Sequence, residues 1–281
     1  MARKKKASSK GNRYEVNFKS DKVKKIISHL ELAENRMSKQ QFDSLGTKDI
    51  YYQLLHSGYI KREGDLIMGT NKLHKYVKHH HSTSFSSSCS REHSQGISKV
   101  LNLVPDSTLL RRGYSTSTDI EKSFKRYMKG EEGQAKMEAM RYQLQTDLAN
   151  IDKAHRLYRQ SPHSDTEAFN ETLHYKKERE KCLNHLELFR DTPYLIPDMQ
   201  LRFTEDEYQS FCDELREYTN LLSGQEREIY DNALYTLEHL EVGSGGITIN
   251  FEIITNTYME RELYRHTVFE QLSDTPQIYL C

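Results

Sequence analysis

The sequence predicts an α+β, helix-rich fold with a long helical hairpin inserted and a small mixed sheet at the C-terminal end. Three observations predict it. Apolar residues recur at helical spacing along most of the chain. Short β-branched or apolar runs, ITINFEIIT above all, stand between Gly-rich breaks. Only 5 Pro and 13 Gly occur in 281 residues, too few for a sandwich, a collagen-like chain or a low-complexity chain.

The first region runs over residues 14–81. Val23, Ile26, Ile27 and Leu30 share one helical face, with Ser20 and Asp21 as possible caps. A short second helix follows from Ser38 to Leu45. Thr47 then caps a third, TKDIYYQLLHSG, whose apolar face is Ile50, Tyr51, Leu54 and Leu55 and whose stop is Gly58. The stretch YIKREGDLIMGTNKLHKYVK has Glu63-Gly64-Asp65 and Gly69-Thr70-Asn71 as turn signals, which predicts two or three short strands. Three helices and a basic hairpin are the order of a winged helix-turn-helix. In that motif the third helix enters the major groove and the hairpin touches phosphates. The DNA-facing residues would be Lys48, Tyr52, Gln53 and His56 on the helix, then Lys61, Arg62, Lys72, Lys75 and Lys78. The competing reading is a small α+β unit that packs protein.

Residues 1–13 are expected to be a disordered basic arm, and residues 82–90 a polar linker. His79, His80 and His81 invite a metal reading, but neighbours on an extended chain point to opposite faces and chelate one ion badly. Residues 91–281 are expected to form a helical and α/β region with its helical insertion at about 119–189. Ile97, Val100, Leu101 and Val104 make one helix face. A short irregular stretch follows, and Ser117 or Thr118 with Glu121 has capping-box spacing. Two long helices, 134–160 and 165–188, would form an antiparallel pair with stripes Leu144, Leu148, Ile151, His155, Tyr158 and Phe169, Leu173, Lys176, Lys177, Leu183, Leu186, Phe189. PYLIPDMQLRF reads as a short strand. Thr204 with Glu207 starts one of two further helices, 205–222 and 225–241. Strand ITINFEIIT, helix YMERELYRHTVFEQL and strand PQIYLC compose a βαβ unit, so the last two strands should be parallel.

Zero net charge hides a gradient. Residues 1–81 hold 18 Lys/Arg against 8 Asp/Glu, whereas residues 187–281 hold 6 against 19. The basic end suits polyanions, with binding that weakens as salt rises. The acidic end would repel phosphate unless a metal ion or a protein partner neutralised it. Expected partners are therefore double-stranded DNA and a protein docked on the acidic C-terminal region, with a homodimer also compatible. No apolar run reaches the ~18–20 residues of a membrane span, and no apolar segment follows the basic N-terminus as a secretory signal would require. The four cysteines are far apart, which fits a reduced, cytoplasmic setting. Phosphate-loop, GxSxG and HExxH patterns are missing. Cys182 and His185 have i, i+3 spacing but lack further ligands, and no His or Arg cluster accompanies a candidate tyrosine nucleophile.

One constellation carries possible chemistry. Asp198 of a Pro-Asp strand, Glu252 in the middle of a later strand and Glu92 on a preceding helix resemble the PD-(D/E)xK nuclease fold over residues 91–104 and 193–281. The resemblance implies metal-assisted phosphodiester hydrolysis, with Mg²⁺ held by Asp198 and Glu252. The chain departs from that pattern. The expected lysine two positions beyond the strand glutamate is Ile254, and no lysine follows Lys181. Arg261 or Arg265 would supply charge without easy proton transfer. The expectation is thus an inactive nuclease-like domain and no cofactor, with Mg²⁺ needed only for an active site. As a whole, the basic arm, SREHSQGISKVLNL, GYSTSTDIEKSFKRY and FEIITNTYMERELYRHTVFEQL resemble replication-relaxation proteins of plasmids and conjugative elements of Gram-positive bacteria. That resemblance implies DNA association more than a reaction.

Overall fold

The structure, a computed structural model, describes residues 14–81, 91–162, 164–191, 196–254 and 275–281. It is α+β and helix-rich, with two small sheets. Among the described residues no helix is long and apolar enough to cross a membrane.

The chain begins with α1 (Asp21–Leu32), β1 (Arg36–Ser38), α2 (Lys39–Leu45), α3 (Lys48–His56), β2 (Ile60–Glu63), β3 (Leu66–Gly69) and α4 (Asn71–His81). Ser20 stands at the N-cap of α1 but its side chain makes no capping hydrogen bond, whereas the next two helices are capped by side chains. Ser38 and Gln41 form a complete capping box for α2, and the Thr47 side chain accepts from Ile50 N at the start of α3. The sheet order is β1-β3-β2, antiparallel throughout. Val23, Ile26, Ile27, Leu30, Phe42, Leu54, Ile67, Leu73 and Val77 fill the core between helices and sheet.

Two expectations for this region are corrected. The three-residue strand β1 has no sequence period and was not anticipated. Gly69-Thr70-Asn71 opens helix α4 rather than a further strand, so Lys72, Lys75 and Lys78 lie on that helix and not on the hairpin. The physical reason lies at Asn35. Its side chain donates to Gly69 O (3.1 Å) and accepts from Gly69 N (2.9 Å), ending the strand there. Thr70 then donates to Gly58 O and helps turn the chain into α4. His79, His80 and His81 consequently sit on a helix end, not on extended chain.

Next come α5 (Arg91–Leu103), α6 (Asp106–Leu110), β4 (Tyr114–Thr116), α7 (Ser117–Tyr127), α8 (Glu131–Arg159) and α9 (Asp165–Asp191). The irregular stretch predicted here contains strand β4, and the helix after it is capped by Thr116 accepting from Asp119 N, not by Ser117 or Thr118 with Glu121. The long helices form a hairpin, with His155 stacked on Tyr175 (5.1 Å) and Arg179 Nε 3.0 Å from Asp152 Oδ1. Phe169, Leu173 and Leu183 are exposed, so their predicted stripe is not the seam. At the hairpin base, Ile120, Phe124, Met128 and Met137 pack into a small core of their own.

The chain ends with β5 (Met199–Phe203), α10 (Glu205–Asn220), α11 (Gly224–Glu238), β6 (Ile247–Ile253) and β7 (Gln277–Leu280). Sheet order is β4-β5-β6-β7, antiparallel except for the β6/β7 pair, which is parallel as predicted. The helix predicted between those strands lies outside the described residues. Met199, Leu201, Phe203, Ile249, Phe251, Ile253, Ile278 and Leu280 make one apolar sheet face, covered by α5, α10 and α11. Two glycines permit close approach. A Cβ at Gly96 of α5 would lie 2.4 Å from Ile253 Cγ2, and Gly246 takes φ +84° beside Phe203 O before β6 begins.

The two regions are joined by a buried polar cluster. Glu31 of α1 is 1% exposed. Its carboxylate receives Arg112 Nη2 at 2.8 Å, lies 2.8 Å from His81 Nδ1 and accepts from the Tyr114 hydroxyl. Burial, then the Glu31 charge, push the Tyr114 hydroxyl well above its usual pKa, so it stays protonated and serves as a donor. Leu32 and Ala33 at the end of α1 belong to the second core. Nearby, His29 is buried, and desolvation with the Lys25 charge lowers its pKa from 6.5 to about 4, against a smaller opposing effect of Asp106.

Two stability predictions arise here. Glu31→Gln leaves Arg112 without its counter-charge and is expected to cost about 3 kcal/mol, read as a lower urea midpoint. His29 stays neutral when folded, so between pH 6.5 and about 4 the unfolded chain binds the extra proton. Stability should fall as pH drops through that window, by up to ~3 kcal/mol. His29→Gln should flatten that slope in urea unfolding at pH 7 and pH 5.

Candidate functional site

Two groups of residues carry the sequence-based expectations. The first is the outer surface of the first region. Lys48, Tyr52 and His56 stand at i, i+4 and i+8 on α3 and are exposed, and Gln53 is half-buried beside them. The core holds the other helix face through Tyr51 and Leu54. Tyr52 and His56 rings stack at 5.7 Å with planes 17° apart, and the Tyr14 ring lies 4.5 Å from that of His56. On the β2/β3 hairpin, Lys61 pairs with Glu63, whose carboxyl that contact holds below its ordinary range. Arg62 Nε donates to Gly64 O at 2.7 Å across the turn. The hairpin cations are therefore partly engaged within the turn itself.

Helix α4 changes the distribution of charge. Lys72 Nζ donates to Ser57 O, the last carbonyl after α3, at 2.7 Å and sits 4.3 Å from the Tyr59 ring. It stabilises the end of α3, as a cation at a helix C-terminus should. Lys75 and Lys78 are exposed one turn apart. The buried side of the same helix holds Leu73 and Val77, and its last residue, His81, reaches Glu31. Exposed cations thus come from α3, the hairpin and α4.

The second group is Asp198, Glu252 and Glu92. Met199 pairs with Phe251 across β5/β6, and Asp198 N donates to Phe251 O at 3.0 Å, so Asp198 and Glu252 are neighbours on adjoining strands. Both are buried, at 7% and 5% exposure. Asp198, however, spends its oxygens locally. Oδ2 accepts from Ile253 N at 2.8 Å, and Oδ1 lies 2.7 Å from His93 Nε2 on α5. Glu252 faces away from the apolar core, on the side that also carries Asn250, Gln200 and, on β7, Tyr279. Glu92 is exposed and lines a cleft of about 490 Å³ with Gln95, Lys99, Glu226, Ile254 and Cys281, where Lys99 and Glu226 pair at 2.8 Å. Neither Asp198 nor Glu252 lines that cleft, so the α5 residue brought to Asp198 is His93, which sequence reasoning passed over for its neighbour. One residue along a helix is a 100° turn, and no pattern in the sequence fixes that angle.

Among the described residues no group of three or more His, Cys, Asp or Glu gathers to hold a metal ion. Cys182 is half-buried on α9, and burial followed by the Asp147 and Glu178 charges raises its pKa, which makes it a poor nucleophile. Glu207 caps α10. Burial would raise its pKa, but Arg111, the Thr204 backbone and Ser107 outweigh that and bring it to about 2. It is a structural carboxylate, and so is Asp198 by its hydrogen bonding. Asp198→Ala would orphan the buried Ile253 N–H and is expected to cost about 2 kcal/mol, while Asp198→Asn keeps an acceptor and costs less, both measured by urea unfolding. Comparison with protein-family models, with curated proteins and with solved structures finds no match for this chain.

Proposed function

We propose that this protein binds double-stranded DNA through its first region, a winged helix-turn-helix, with the C-terminal region as a degenerate nuclease-like domain that serves structure or partner binding. The observation that carries the reading is the order α1–β1–α2–α3–β2–β3 with sheet order β1-β3-β2. That order leaves one face of α3 uncovered beside a two-residue hairpin turn, the arrangement a helix needs to enter a major groove while the turn lies on the backbone. The charge of residues 1–81 supports it, as do the exposed Lys48, Lys75 and Lys78. Phosphate contacts from α4 extend the surface beyond the helix and hairpin read from sequence. The acidic C-terminal region would stay clear of the duplex and take a protein partner. Such a protein fits a plasmid or conjugative element, the setting implied by the sequence resemblance.

A second reading, a metal-dependent endonuclease at Asp198 and Glu252, draws on their juxtaposition across β5/β6. The engagement of Asp198 by Ile253 N and His93 weighs against it.

The DNA reading is tested by salt-dependent binding to a labelled duplex. Removing one phosphate-binding cation lowers the slope of log affinity against log salt by about 0.9. Lys75→Ala with Lys78→Ala should therefore weaken binding and reduce that slope by about 2. Lys72 is left intact because its removal would loosen the end of α3. An unaltered slope would remove α4 from the interface. Running the same titration on supercoiled plasmid with Mg²⁺, Mn²⁺ or EDTA separates the two readings, since only an enzyme nicks DNA in the metal lanes alone.

A further inference from the structure

We propose that Tyr14, His56 and Tyr52 form a stacking surface for an unpaired DNA base, so that the protein prefers a duplex bearing a single-stranded tail over a blunt one. The inference rests on the DNA-binding reading above and names the form of DNA that its α3 surface favours.

Three rings line up along the outside of α3. Tyr52 and His56 stack nearly parallel, and Tyr14 lies tilted against His56 at 4.5 Å. The rings are held in place from behind. Tyr52 rests edge-on against buried Tyr51 at 5.4 Å, and Ser57 Oγ donates to the Tyr14 carbonyl, which ties Tyr14 to the end of α3. Yet the two tyrosines stay 41% and 40% exposed, and they are among the most exposed aromatic rings of the described first region. A core-filling role would bury them. Two partly open π-faces, one on α3 and one tied to its end, with a histidine against both, instead offer a platform at low entropic cost.

The surroundings select the ligand. Lys48 lies one turn before Tyr52 on the same face, in a region, residues 1–81, that holds 18 Lys/Arg against 8 Asp/Glu. Asp49 beside Lys48 and Glu15 beside Tyr14 are the acids nearest in sequence, and both are exposed. An aromatic platform within a net basic region suits a polyanion that carries flat rings. In a duplex those rings are covered by their stacked neighbours and show only edges, so a platform gains little there. An unpaired base exposes its whole face, and stacking it adds to affinity without demanding a sequence.

The test compares affinities of the full chain for a blunt duplex and for the same duplex with a short thymine tail. Anisotropy of a labelled strand is the readout. The wild type should bind the tailed DNA roughly tenfold more tightly, within the range that one stacked base confers. Tyr14→Ala should bring the ratio of the two affinities towards one, and Tyr14→Phe, which keeps the ring, should retain it. Thermal unfolding of both variants reports that the fold is intact, and Tyr52→Ala gives a second, independently placed removal. Equal wild-type affinity for the two forms would overturn the stacking proposal and leave duplex binding standing. A ratio that persists in both alanine variants would overturn it too. No binding to either form would overturn the duplex reading together with it.

Discussion

The arrangement of this molecule depends on one buried carboxylate. Glu31 sits near the end of α1, the helix that belongs to both cores: Val23, Ile26, Ile27 and Leu30 fill the first, while Leu32 and Ala33 enter the second. A carboxylate at 1% exposure is tolerable only if its charge and lone pairs are met. They are met from three directions, by His81 of α4, by Arg112 before β4 and by Tyr114 within β4. Arg112 adopts φ +58°, a conformation unfavourable for a branched-Cβ or bulky residue, and its guanidinium lies 5.1 Å over the Tyr114 ring. The ion pair and the ring contact offset that cost.

Much of the fold was legible because its signals are local. Capping residues mark where helices begin, and Thr204 with Glu207 is a complete box in the structure as its spacing implied. The parallel β6/β7 pair was legible because the intervening segment is long enough for a crossover and too long for a hairpin. What escaped were elements fixed by distant partners. β1 and β4 have three residues each, too few to show an alternation, and exist because β3 and β5 lie alongside. Helix α4 was mistaken for more hairpin because Gly69-Thr70-Asn71 reads locally as a turn. Only the Asn35 side chain, 34 residues earlier, decides that the strand stops there.

The candidate site residues divide along the same line. Lys48, Tyr52 and His56 share an exposed face because helical spacing puts them there, so the sequence places them well. Asp198 and Glu252 come together because strand register does it, and the register follows from the apolar alternation of β5 and β6. The chemistry of Asp198 was not legible. It is settled by a backbone amide 55 residues away and by a histidine on a helix packed over the sheet at Gly96. Residue type alone does not distinguish a carboxylate that binds metal from one that ends a strand. Its hydrogen-bond partners do.

The junction at Glu31 also explains why α4 is more than a support for its lysines. Burying Leu32 and Ala33 favours contact between the two regions but is non-directional and would accept several orientations. Side chains from α4, from β4 and from the residues just before it, converging on one carboxylate, accept far fewer, because hydrogen bonds weaken steeply off their preferred angles. Two of the three side chains come from the second region and one from the last residue of α4. The helix that presents Lys75 and Lys78 outward is thus anchored at its C-terminal end to the same carboxylate that holds β4. Rotation of α4 on the first core would pull His81 from Glu31, so the placement of its exposed cations is set from the interior of the molecule.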